Sequence, residues 1–331
     1  MSRHASDERT PKLKRSAGKR SSGTAPRSVN QAARILALAK IEAESKVVEL
    51  SPNQRFVKNA VGAVAILMTA FVVHMLVFTP IFHAANQVQL RAAFKEQLKQ
   101  GIAPTSEVDF NDVVLRQGAP VALLRIPSIG LEEVIVEGTD SGTLTTAAGH
   151  RRDTVMPGQA GTTVLMGRSA AYGGPFASLQ SLPIGTEIEF ITGQGESKYH
   201  VQGVRYAGDY ELPTIQAGEG RLLMMTARGA PFMPSGLLRL DAKLVSEAKP
   251  TGPVLSNILT LPREERELGF DLRFTWALAF ALQFLLVVVL AGAWALNRFA
   301  VHQVYLVFVP LTLFAIILVF DQVVKVLPNL L

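Results

Sequence analysis

The apolar positions of the chain form two patterns: long uninterrupted runs near both ends, and short alternating runs between them. Residues 60–82 and 274–296 contain no Asp, Glu, Lys or Arg, and the run 304–320 extends past Asp321 to about Leu327. A helix of about 20 apolar residues spans a hydrocarbon core of roughly 30 Å. The pattern therefore predicts transmembrane helices over residues 60–82, 274–296 and 304–327, and the short connector makes the last two a hairpin.

Residues 119–246 have a different pattern, in which short runs rich in β-branched residues are separated by Gly, Pro and Asp. Such spacing is typical of an all-β barrel or sandwich. Residues 83–118 are predicted to be a linker with a helical first half, and residues 247–273 a second linker. The run "LLMMTA" (222–227) is predicted to end at Thr226, which places Ala227 at the lip of a turn.

Charge and composition set the expected orientation. The chain has 331 residues, a net charge of +6 and 48% hydrophobic residues. Residues 1–59 hold 13 Lys/Arg against 5 Asp/Glu, and we expect them to be a disordered cytoplasmic tail with a short amphipathic helix over 29–48. This block could bind nucleic acid, but its position before a membrane helix favours contact with anionic lipid and an N-terminus inside. The β domain is then extracellular, and no nucleic-acid partner is expected.

The chain contains no cysteine. Disulfides, thiolate metal sites and a cysteine nucleophile are therefore excluded. His83, His150 and His200 lack the spacing of metal ligands, so neither a metal nor another cofactor is expected.

Several motifs in the β region resemble the sortase family, membrane-bound transpeptidases of Gram-positive bacteria, and in particular its actinobacterial class E and D members. The resemblance covers roughly residues 120–245 and implies a β-barrel that acts at the cell wall. The motifs occur in the order that the family has: "LLRIPSIGLEEVIVEG" (123–138), "AGHRRDTVMPGQAGTTVLMG" (148–167), "AYGGPFASLQSLPIGTEIEF" (171–190), "LLMMTA" (222–227) and "LLRLDAKLV" (237–245).

The resemblance also implies a catalytic Cys, His and Arg, of which only the last is present. Ala227 stands at the Cys position after Thr226, Arg168 stands at the His position after Gly167, and Arg239 matches the Arg. Alanine cannot act as a nucleophile, and arginine does not exchange its proton at workable pH. We therefore expect a pseudoenzyme that binds partners or serves as a scaffold at the outer face of the membrane.

Other interpretations remain open at this level. Ser169 or Thr226 could act with His150 as a replacement hydrolase site, although local hydrogen bonding of Thr226 is the simpler expectation. Alternatively, the C-terminal hairpin could make the protein an accessory subunit of a membrane complex.

The arginines offer a binding site. If Arg168, Arg239 and Arg228 surround one groove, they could hold an anionic peptide terminus, a lipid head group or a wall polymer. Arg168 could equally pair with a nearby Asp or Glu and only fill space.

Overall fold

The computed structural model describes residues 51–109, 111, 113–210 and 213–331. The predicted helix over 29–48, and the predicted tail up to residue 50, lie outside the described residues. The helices are α1 (Pro52–Val73), α2 (Thr79–Gln100), α3 (Thr275–Leu296) and α4 (Val301–Val326). Within these described ranges, three helical stretches are long and apolar enough to cross a membrane: Ala65–Gln100, Leu272–Leu296 and Val301–Val326.

A turn of π-helix, His74–Phe78, joins α1 to α2, so the first helical path continues far beyond the apolar run. The Thr79 hydroxyl donates to the Met75 carbonyl oxygen at 2.6 Å and accepts from the backbone N–H of Tyr172 at 3.1 Å. The π turn is therefore fastened to a loop of the β domain. Helix α2 ends at Gly101, whose φ of 67° is the left-handed conformation that glycine adopts without strain.

Eight strands form a closed barrel in the order β1-β2-β3-β4-β7-β8-β6-β5. The barrel and the three apolar helices confirm the predicted fold class. Strands β2–β3 and β4–β7 pair in parallel, and the other neighbours are antiparallel. The strands are β1 (Pro120–Ile126), β2 (Leu131–Glu137), β3 (Gly149–His150), β4 (Gly161–Met166), β5 (Glu187–Thr192), β6 (Gly195–Tyr206), β7 (Gly220–Ala230) and β8 (Met233–Leu244).

Alternating side chains give the barrel an apolar interior and a second apolar surface on its outside. Leu165, Met224 and Leu240 belong to the interior cluster. Their strand neighbours Met166 and Met225 point the other way, since successive side chains of a strand face opposite sides. The outer face of β4 and β7 is thus apolar, and it is stabilised when another part of the chain packs on it and removes it from water.

Helix α2 covers a different part of the outer face, over β1 and β2. Phe94 is buried against Leu123 and Val134. The Gln87 side chain donates to the Glu133 carboxylate at 2.9 Å and accepts from the Val134 N–H at 2.8 Å. The first half of the predicted linker is therefore a docked helix, because its apolar and amide side chains match this face.

Strand β7 corrects one prediction. It does not end at Thr226 but continues to Ala230, pairing with β8 through a register shift between Arg228 and Gly229. Ala227 lies inside the strand and is 6% exposed. The small-residue run that suggested a turn instead forms the end of a long hairpin whose tip holds Pro231 and Phe232.

Candidate functional site

The site is the outer groove, defined here as the apolar strip formed by Leu144, Val164, Met166, Met225 and Ala227. Strands β4 and β7 supply its floor, and a short 3-10 turn, Thr143–Thr145, supplies Leu144. Leu330 completes the same cluster and is 0% exposed. The groove is therefore filled by residues that follow helix α4.

Main-chain hydrogen bonds hold this terminal segment, Asn329 to Leu331, in the groove. The Leu330 oxygen accepts from the Ser169 N–H at 3.1 Å, and the Asn329 N–H donates to the Gly269 oxygen at 3.1 Å. The Asn329 amide group donates to the oxygens of Thr139 at 2.7 Å and Arg266 at 2.9 Å. The segment is thus bound through its backbone and one amide, while Leu330 fills the apolar floor.

Arg168 lies at the end of the groove, just beyond β4, and is 1% exposed. It donates from Nε to the Leu144 oxygen at 3.2 Å, from Nη1 to the Leu331 oxygen at 2.8 Å, and from Nη2 to the oxygen and hydroxyl of Ser141, both at 2.9 Å. Burial lowers the pKa of Arg168 to about 10, so the side chain stays charged at neutral pH. Its hydrogen bonds within the described residues go to main-chain oxygens and to the Ser141 hydroxyl. None of them goes to a side chain of Asp or Glu, which corrects the expectation of a direct pairing, although the charge of Asp140 also acts on Arg168.

Thr226 and Ala227 face opposite sides of β7. Thr226 pairs with Leu238, a residue of the interior cluster, whereas Ala227 belongs to the outer groove. The Thr226 hydroxyl is buried and has no hydrogen-bond partner within the described part of the chain. The expected local hydrogen bond is therefore not formed, because the hydroxyl points into an apolar interior.

Among the described residues, no contact joins Arg168 to Arg239 or Arg228, and the expectation that the three surround one groove stays a prediction. Arg239 lies opposite Met225 on β8 and lines a polar cavity with Arg205 and Asp241. That cavity shares no lining residue with the one beside Arg168.

Arg228 is occupied elsewhere. Its guanidinium stacks on the Tyr206 ring at 4.2 Å from the ring centroid. The alternation of side chains along β7 and β8 sets these separate directions.

His150 is part of a buried ion pair. Its Nδ1 lies 2.9 Å from the Glu137 carboxylate, and Nε2 lies 3.0 Å from the Val155 oxygen and 3.2 Å from the Thr154 hydroxyl. Burial lowers the pKa of His150, but the charge of Glu137 and its hydrogen bond outweigh this and raise the pKa above 6.5. Both ring nitrogens are therefore committed within this network.

Neither Ser169 nor Thr226 is a hydrogen-bond partner of His150 among the described residues. The Ser169 hydroxyl contacts the Leu330 oxygen at 3.4 Å instead. This arrangement gives no support to the replacement hydrolase. The described residues also contain no group of three or more His, Cys, Asp or Glu that could hold a metal ion.

Sequence reasoning did not find the terminal segment, Ser141 or Leu144 as parts of the site. The only local signal was the sequence "LPNLL" (327–331), where a proline follows the last apolar run and two leucines come after it. Nothing in that pattern indicates a contact with strands more than a hundred residues away.

Three comparisons with known proteins bear on this site. Residues 124–236 match the family model described as the Sortase domain. Sortase D of Bacillus subtilis (strain 168) is 29% identical over 111 residues, which are 33% of this chain and 54% of that protein. The chain thus spans about half the length of this curated relative.

Solved structures are similar as well. The Sortase D5 transpeptidase of Clostridium perfringens is 20% identical with a TM-score of 0.39, over 50% of this chain and 99% of that one. Sortase E of Streptomyces avermitilis is 25% identical with a TM-score of 0.34, over 46% of this chain and all of that one (100%).

Proposed function

The β-barrel of this chain is a member of the sortase family, and we propose that the protein is a membrane-anchored, catalytically inactive member that binds partners at the outer face of the cell membrane. The observation that supports the proposal is which residues occupy the outer groove and the position beside it. Ala227 and Arg168 occupy the positions at which the family resemblance implies a nucleophile and a proton donor. Leu330 packs in the same apolar cluster as Ala227, and Arg168 donates a hydrogen bond to the oxygen of the next residue, Leu331.

Chemistry at this position would need a nucleophile with an acid or base beside it. Ala227 offers a methyl group, and the Arg168 guanidinium has four of its five N–H groups engaged with oxygens of Ser141, Leu144 and Leu331. Loss of one member of a catalytic unit removes most of its activity, so two losses leave no acyl-transfer route. The groove then retains only its capacity to bind.

The ligand proposed for the groove is an extended peptide with adjacent apolar residues. The terminal segment already shows how such a peptide is held: leucine on the apolar floor, and main-chain oxygens on Arg168 and the Ser169 N–H. Arg168 is therefore the proposed binding residue of this groove, and Arg239 the proposed binding residue of the neighbouring polar cavity. Thr226 and Arg228 have no part in either.

The proposed orientation follows from charge. The basic residues 1–59 favour a cytoplasmic N-terminus, which puts the barrel on the extracellular side after the first span and returns the last helix to that side. Contact between residues 329–331 and the barrel is consistent with this topology, since both then lie on one side of the membrane.

A peptide probe tests the binding role. We expect a fluorescent peptide with the sequence of residues 325–331 to bind the full-length L330D variant, because a buried carboxylate drives the chain's own segment out of the groove. The unmutated protein should not bind the probe. The double variant L330D/R168Q should bind it about tenfold more weakly, since a charged hydrogen bond is lost. Equal binding of a scrambled peptide, or no binding to L330D, would contradict the peptide groove.

The loss of catalysis has its own test. The full-length protein is incubated with a fluorophosphonate and, separately, with a peptide pool and an amine acceptor, and its intact mass is measured. No added mass and no new peptide product are expected. A covalent adduct on any side chain would overturn the pseudoenzyme assignment without bearing on the peptide-binding measurement.

A further inference from the structure

A cavity of about 460 Å³ lies beside the first helix, next to the outer groove. Helix α1 and the π turn form one wall, the end of α4 forms another, and the tip of the β7–β8 hairpin closes part of it. Its size falls in the range of ligand pockets, about 300–1,000 Å³. The cavity is distinct from the strand floor that Leu330 covers.

The walls of the cavity are apolar except at one point. Side chains such as Met68, Val72 and Leu76 come from the first helix, and Phe232 comes from the hairpin tip. Among the described residues that line the cavity, Arg168 alone has a polar side chain. A peptide in this space would leave its N–H and C=O groups without partners, which is costly away from water. A hydrocarbon chain has no such groups.

The location of the cavity points to the membrane as the source of its ligand. Met68, Val72 and Leu76 belong to a span that is long and apolar enough to cross a bilayer, and all three are partly exposed on it. These side chains therefore form both a wall of the cavity and a surface that faces lipid.

The hairpin tip supports the same location. Phe232 has a φ of 63°, a left-handed conformation that is uncommon for a bulky residue, and it lines the cavity with the helix. Its neighbour Met233 is exposed. A strained, apolar tip beside a membrane helix is expected to lie at the bilayer surface.

The charge of Arg168 selects the kind of lipid. Its hydrogen bonds within the described residues go to Ser141, Leu144 and Leu331, none of which offers a side-chain carboxylate. Among the described residues, one Nη1 hydrogen of Arg168 has no acceptor. The charge of Asp140 acts on Arg168, but a guanidinium buried away from water is still unfavourable, and an anionic group beside it relieves part of that cost.

We propose that this cavity binds one acyl chain of an anionic membrane glycerolipid, with the lipid head group at Arg168. The chain enters between the first helix and the hairpin tip, and the head group stays at the membrane surface next to the barrel. The site shares Arg168 and Leu331 with the peptide groove, but its apolar walls and its ligand are different.

The experiment measures bound lipid on the full-length protein. The protein is purified in detergent, exposed to equal amounts of phosphatidylglycerol and phosphatidylcholine, and analysed by native mass spectrometry. We expect one retained lipid per chain, with phosphatidylglycerol preferred about fivefold. Equal retention of the two lipids would overturn the assignment of the head group.

Two tryptophan variants test the cavity. Leu76 is 61% exposed and lines the cavity, whereas Val77, next to it, is 48% exposed and does not. L76W should fill the mouth and reduce retention about tenfold, while V77W should retain lipid as the unmutated chain does. Both substitutions lie on the lipid-facing surface, so the fold is retained. Equal retention by L76W and V77W would overturn the cavity as the site.

Two charge variants test Arg168. R168Q should still retain lipid but lose the preference for phosphatidylglycerol, whereas R168K should keep that preference because it keeps the positive charge. Loss of the preference in both, or in neither, contradicts a head-group contact with this charge. If R168Q does not fold, loss of the preference in R168K would still contradict the proposal, because that variant keeps the positive charge.

Discussion

The Nη1 atom of Arg168 donates a hydrogen bond of 2.8 Å to the main-chain oxygen of Leu331, 163 residues further along the chain. The same guanidinium reaches Ser141 and Leu144 in the loops after β2. One buried side chain therefore joins the end of β4, a loop of the barrel and the segment after the last helix.

Removing that connection should destabilise the protein. In R168M, the main-chain oxygens of Ser141, Leu144 and Leu331 lose a buried donor, and we expect the free energy of unfolding to fall by about 2–4 kcal/mol. Near-UV circular dichroism of the detergent-solubilised chain during heating measures the change. R116M, at an exposed arginine, is the matched control and should alter stability by no more than about 0.5 kcal/mol. Equal melting curves for both variants would contradict the structural role of Arg168.

A single engineered thiol can report whether the terminal segment covers the groove. The chain has no cysteine, so A227C would carry the only thiol. We expect a maleimide to modify A227C at least about a hundredfold more slowly than I184C, at an exposed position, because reaction requires local opening of the groove. Mass spectrometry over time gives both rates.

The same thiol also tests what covers it. Adding L330D to A227C should accelerate its modification, whereas adding L330D to I184C should not. If A227C and I184C react equally fast, the groove is open and the terminal segment does not cover Ala227.

The strands were predictable because their side chains alternate over enough residues to show a period. Strand β5, Glu187–Thr192, alternates half-buried and buried positions along its whole length. Strand β3 has only two residues, Gly149–His150, and two residues carry no period. Its place in the barrel depends on parallel pairing with β2, which becomes visible only in three dimensions.

The ion pair of His150 and Glu137 predicts a dependence of stability on pH. The folded-state pKa of His150 lies above its ordinary value of 6.5. The stabilisation by this pair is therefore fully present below about pH 6.5 and is lost as the pH rises through the folded-state pKa. Unfolding temperatures measured from about pH 5.5 to pH 8.5 should decrease across that window.

Substitution isolates this contribution. H150Q removes the titrating group, so the decrease should become smaller in that variant. H200Q, at an exposed histidine of β6, serves as the control and should keep the profile of the unmutated chain. A profile that is unchanged in H150Q would mean that another group is responsible.

The packing of α2 on the barrel gives a further prediction. Phe94 is buried between Leu123 and Val134, and F94A should lower the free energy of unfolding by about 3–5 kcal/mol, because it leaves a cavity under the helix. V88A changes an exposed valine of the same helix and should have little effect. Chemical unfolding monitored by far-UV circular dichroism compares the two variants. Similar midpoints would indicate that α2 is not packed on β1 and β2.

The groove itself could not be predicted in the same way as the strands. Ala227 and Arg168 were identifiable because they occupy positions in recognisable motifs, but their neighbours come from residues 141, 144 and 329–331. The sequence also did not predict where the long side chains of β7 and β8 point. Arg228 stacks on Tyr206, whereas Arg239 points to the other side of the sheet and lines the polar cavity. Such directions depend on how β7 and β8 pair, which the sequence pattern does not reveal.

Only Leu327, Pro328 and Asn329 separate the end of α4 from the buried Leu330. Three residues span at most about 11 Å, and the fixed φ of Pro328 removes part of their freedom. A connection of three residues cannot lengthen much when the tilt of α4 changes. Helix tilt adjusts to bilayer thickness. A thinner or thicker membrane would therefore displace Leu330 in the outer groove, and the barrel would respond to the thickness of the bilayer that anchors it.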